Sequence, residues 1–150
     1  MTRGQRNNNP LNIRHSADQW QGARAQQTDP SFVQFESMAY GYRAAWKLME
    51  TYRLRLRQAG MSYTLENIIH RWAPPTENNS DAYLRTVCML TSLGGNEALP
   101  RPSLARSQGM EQKLILLLSA MTTMECGICM KDINTKDIIE GYDKAFPQQV

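Results

Sequence analysis

Seven carboxylates fall within the first 81 residues of this 150-residue chain: Asp18, Asp29, Glu36, Glu50, Glu66, Glu77 and Asp81. A carboxylic acid with a raised pKa can deliver a proton to a leaving oxygen, the step that breaks a glycosidic bond. A second carboxylate or an acetamido group of the substrate usually assists. Glu36 is the first candidate for that role. It stands where an apolar segment, Phe32-Val-Gln-Phe35, hands over to a long helix, and Phe35 offers surroundings that raise a carboxyl pKa. The same position lies near a positive helix end, which lowers it, so both readings stand. Glu77 is the second candidate, in the Pro74–Ser80 loop, where backbone is free to orient a side chain. Asp29 precedes Pro30 and reads as a turn residue.

Sugar rings present flat apolar faces edged with groups that need amide partners. Trp20 and Tyr40 are the expected platforms, and Asn7, Asn8, Asn9 and Asn78 the expected polar contacts. Tyr83 is divided between the cleft and the core, whereas Trp72 falls on an apolar helix face and reads as core. Ser37 and His70 do not make a hydrolytic pair, because no nucleophile elbow surrounds them and Ser37 is explained as a helix cap. The three cysteines, Cys88, Cys126 and Cys129, are expected as free thiols. Cys126-Gly-Ile-Cys129 has redox spacing without the strand and helix pattern that goes with it. No metal and no cofactor is expected.

The elements that must position these residues are mostly helices. Residues 1–36 are polar and lack a helical period; Asn12-Ile-Arg14 and Phe32–Phe35 suggest short strands in a small irregular β region. From Ser37, apolar or aromatic residues at Met38, Tyr42, Ala45, Met49, Tyr52 and Leu56 share one helical face, with Gly60 as the stop. Thr64 caps a second helix over Leu65–Trp72, which Pro74-Pro75 ends. Ser80 opens a third, closed by Gly94-Gly95. A strongly apolar fourth helix covers Met110–Met124. A fifth follows Thr135, from Lys136 to Ala145.

Composition is that of a folded domain: 41% hydrophobic and 21% charged residues. The net charge of +3 is too small to point to nucleic acid. It is unevenly placed, however, with Arg3, Arg6, Arg14 and Arg24 early and Arg43, Lys47, Arg53, Arg55 and Arg57 following. That bias would draw any polyanion, and it motivates a third, lesser reading as a DNA- or protein-binding factor of a mobile element. The longest aliphatic run, Leu114–Leu118, is a buried helix rather than a membrane span. The first residues lack an apolar signal core, which places synthesis in the cytoplasm.

Four segments in this order carry a resemblance: Arg3-Gly-Gln-Arg-Asn-Asn-Asn-Pro-Leu-Asn-Ile-Arg14, Trp20-Gln-Gly22, Phe32–Ala44 and Ile69–Tyr83. Together they resemble a phage and prophage family of virion structural proteins with lysozyme-like, peptidoglycan-degrading character, over roughly residues 3–90. Leu11 departs from a glycine in that family. A more distant similarity is to wall-cleaving N-acetylglucosaminidases, whose acid glutamate precedes the asparagine segment and has no counterpart here.

The resemblance implies an α+β, mainly α, lysozyme-like domain with a core over 1–95; residues 96–150 fall outside it and are expected as a helical extension packed on the same domain. It implies a peptidoglycan glycosidase or lytic transglycosylase, with glycan strands and other virion proteins as partners. The alternative is a non-catalytic virion structural or wall-binding module on the same fold. Virion association or release to the cell wall is the expected location.

Overall fold

The computed structural model describes residues 1–76 and 78–147. Among these the regular structure is helical: α1 (Arg3–Arg6), α2 (Met38–Gln58), α3 (Leu65–Trp72), α4 (Ser80–Thr91), α5 (Glu111–Cys126) and α6 (Thr135–Ala145). Two short 3-10 turns, Pro102–Leu104 and Met130–Asp132, interrupt the connections. The chain forms two compact units, Met1–Lys47 with Met121–Val150, and Leu48–Ala120. Helices α2 and α5 each contribute residues to both.

The expected lysozyme-like α+β fold with a β region is corrected here, because among the described residues only isolated bridges form, Arg14 with Phe32 and Ala23 with Phe35 in this region. The reason lies in where the backbone groups find partners. Residues 31–36 change partner almost at every step: the Val33 N–H donates to Ile13 O, that of Phe35 to Asn7 O and that of Glu36 to Gly22 O. Side-chain amides take up what a ladder would otherwise satisfy. Asn9 Nδ2 donates to both Ile13 O and Val33 O while its Oδ1 accepts from Ile13 N–H. The Gln27 side chain bonds both backbone groups of Gln34, and Gln34 Oε1 accepts from the Thr28 N–H. A buried backbone must be paired, but nothing obliges it to pair with another strand.

The first unit adds α1, a single capped turn in which the Thr2 and Gln5 side chains satisfy each other's backbone N–H. Asn8 and Asn12, both at φ 50, take the left-handed turns that follow. Leu11 does not need that conformation and is buried in the core. Trp46 anchors the helical side. Its ring is fully buried edge-on to Tyr142 at 4.9 Å, and its Nε1 donates to Ile138 O at 3.0 Å. Helices α2 and α6 meet closely because Gly141 has no side chain: a Cβ there would stand 2.7 Å from Tyr42 Cβ and 2.9 Å from Ala39 O.

The second unit is a conventional apolar core. Leu65, Ile68, Ile69, Val87, Leu114, Leu117 and Leu118 are fully buried, as the helical spacing requires. Helix α2 ends in a Schellman motif, with Gly60 at φ 73 and its N–H on Arg57 O, and Met61 N–H on Leu56 O. The expected starts of α4 and α6 shift by one residue: Asn79 and Asn134 cap them, while Ser80 donates its hydroxyl to Ala73 O. Helix α4 stops at left-handed Ser92, before the glycines.

Candidate functional site: an acidic cleft in the first unit

The residues singled out from the sequence, Glu77 excepted, have definite places. Glu36 is exposed on the segment leading into α2. Glu77 lies outside the described residues. Asn7 is buried, with Nδ2 on Asp29 and Oδ1 receiving Gln34 Nε2. Asn8 Nδ2 donates to Phe35 O at 3.2 Å. Asn9 is 0% exposed and uses its carbonyl and both amide hydrogens on neighbouring backbone. Trp20 is half-buried, and its Nε1 is buried without a partner. Tyr40 is half-buried beneath the Lys144 ammonium, 4.7 Å from its ring centre. Asn78 is exposed and Tyr83 buried, both in the second unit.

Asp29 does more than turn the chain. Arg3 clamps it with two bonds of 2.7 Å, Asn7 adds a third, and the Ser31 and Phe32 N–H groups donate to the same carboxylate. Arg3 first, helped by Asn7 and the two backbone donors against a burial cost, holds the carboxyl far below its usual value. Arg24 likewise donates to Phe35 O and Arg6 O. Much of the early arginine bias therefore braces loops.

A cleft of about 390 Å³ opens in the same unit. Met38 and Tyr42 from α2, with Ile128 and Ile133 from the α5–α6 connection, give it apolar walls. Thr2 and Gln5 of the α1 turn, Cys129 and Asn134 supply neutral polar groups. Its ionisable acids are Asp132 and Asp137. Among the described residues no basic side chain lines it and no ion pair reaches either carboxylate. Partial burial, and secondarily the negative Glu140, raise the Asp137 pKa. Lys144 sits 3.8 Å from Glu140 instead.

The connection that shapes the cleft is fixed from below. Cys126 is buried, its thiol directed at Pro10 O at 3.1 Å, and burial pushes its pKa up to about 11. Thr123 Oγ1 donates to Ile128 O, and Gly127 turns the chain at φ 71. Cys129 is an exposed free thiol. The Cys-x-x-Cys spacing thus marks one buried anchor and one cleft-lining side chain. Nothing in the sequence singled out Asp132 and Asp137, which lie far along the chain from Gln5 and Met38. The only local signal was the glycine turn followed by an asparagine cap.

Fold and cleft define a small, mainly helical protein whose N-terminal loops are locked by side-chain amides and whose C-terminal segment walls a recess. The particular relationship comes from sequence. The chain is 34% identical over 147 residues to Protein P5 of Pseudoalteromonas phage PM2, a match covering 96% of this chain and 82% of that protein. The chain belongs to the family of that phage protein. No protein-family model matches it. Among the described residues, no helix is long and apolar enough to cross a membrane.

Proposed function

We propose that this protein is a structural component of a phage or prophage particle, working by contact with other virion proteins. The carrying observation is its near end-to-end relationship to a phage protein, which spans both compact units. The four segments within residues 3–90 that resemble virion structural proteins, three of them before residue 45, support the same reading. So does the construction of that region: Asn7 and Asn9, expected to meet sugar, spend their amides on holding loops.

The test is composition of the particle. Particles purified on a density gradient from a producing host should contain this chain in a fixed ratio to the major coat protein. A chain found only in the soluble lysate, with none in particles of full density, overturns the reading. Glycan cutting is tested separately on purified sacculi. The structural role expects no soluble muropeptides from wild type. Release by wild type that Glu36→Gln or Glu77→Gln abolishes would replace it with a catalytic one.

A further inference from the structure

We propose that the acidic cleft is a socket for a second copy of this chain, and that the end of α2, carrying Leu54, Arg57 and Met61, is what enters it. The proposal goes beyond a virion role and does not depend on one.

Two surfaces of the chain are complementary in charge and in apolar character. The cleft has apolar walls and two carboxylates that no cation pairs among the described residues, in a protein whose net charge is positive. Lys131 and Lys136 flank the acids in sequence, yet neither lines the cleft. A cation supplied from outside fits such a place when its stem is aliphatic, because the stem covers the walls while the head meets the carboxylate.

The second unit offers that group. Leu54 and Met61 are 43% and 48% exposed and lie three residues before and four residues after Arg57. Arg57 is exposed between them in sequence, one turn from Leu54 on the same helix face, and no ion pair holds it among the described residues. The Schellman turn at Gly60 closes the helix and fixes where Met61 begins. Positive charge flanked by two exposed apolar side chains makes the end of α2 complementary to the cleft.

Plug and socket are different surfaces, so the contact is heterologous. Each bound copy leaves one plug and one socket free, and association continues into a ring or an open chain. Exposed charge at the rim makes it sensitive to salt.

Sedimentation velocity of the full chain from micromolar to millimolar concentration tests this. At low salt the average mass should rise with concentration, and high salt should suppress the rise. Arg57→Glu and Asp137→Lys should each weaken association at least about tenfold. Mixing the two variants should restore a dimer, since each keeps the surface the other lacks, and this also shows both are folded. Alkylation of Cys129 should slow in step with association as the socket is covered. A chain monomeric throughout the range, association indifferent to both substitutions, or failure of the mixture to dimerise each overturns the proposal. A monomer whose Cys129 is shielded only by a basic peptide of unrelated sequence also overturns it, assigning the socket to another protein.

Discussion

The loops before α2 and the middle of α5 both send residues into the interior, but opposite kinds of contact hold them. Between Asn7 and Phe35 the interior is threaded with amide and carboxylate side chains, each bonded to backbone or to another polar group. In Leu114–Leu118 the buried atoms are hydrocarbon, and the only requirement is that they fill space. Apolar packing is forgiving of atom type and sensitive to volume, whereas a polar network is the reverse.

Substitutions can break that contrast or sharpen it. The largest effect is expected at Leu117→Ala, about 3–4 kcal/mol of stability lost to transfer and cavity terms, with Leu117→Met recovering most of it. Chemical denaturation measures both. Asn9→Ala comes next, at about 2–3 kcal/mol, because Ile13 N–H and Val33 O would lose the Asn9 amide that pairs them, and Ile13 O would keep only the Val33 N–H. Here Asn9→Leu, though similar in volume, should recover nothing. If it does recover stability, the loops are held by packing after all.

The third effect is a dependence on acid. Asp29 has a folded pKa held well below the ordinary 3.8. Below 3.8 the unfolded chain takes up the proton first, so stability falls as pH falls. The contribution of Asp29 is complete above 3.8 and disappears as pH drops through the folded value. Melting temperatures from pH 6 down to pH 2.5 should therefore show wild type losing its advantage over Asp29→Asn toward the acid end. A constant gap between the two would assign the effect of Asp29 to shape rather than charge. Smallest is Asp137→Asn, where the sign reverses. That carboxylate is raised by partial burial and by Glu140, so its removal should stabilise the isolated chain by about 0.5 kcal/mol or less. The melting temperature should rise by about 1–2 °C at neutral pH. A fall would mean that the carboxylate has a partner within the fold.

Helices α2 to α6 were legible because an apolar stripe repeats at the helical period whatever the helix later packs against. Leu65–Trp72 was bounded to the residue, since Thr64 and Pro74-Pro75 act locally. Starts placed at Ser80 and Thr135 missed by one, because neighbouring asparagines compete for the same cap. The short turn α1 was also legible in principle, as Thr2-x-x-Gln5 is a capping pattern. The β region was not. Phe32–Phe35 has the residue types of a strand, but Asn9, Gln27 and Gln34 reach its backbone first, and composition does not say where a side-chain amide will point. Of the candidate site, neither acid was visible, because each looks like a helix-entry or turn residue until α2 lies alongside.

By itself the sequence determined the helical periods, their stops and the polar character of the first 36 residues, all of which depend on neighbours within a turn or two. Tertiary structure alone decided that Arg3 would meet Asp29, that Cys126 would anchor against Pro10, and that Asp137 would line a cleft with apolar walls. Those outcomes depend on which distant segments share a dielectric surrounding, and charge and hydrogen-bonding energies are set by that surrounding rather than by order along the chain.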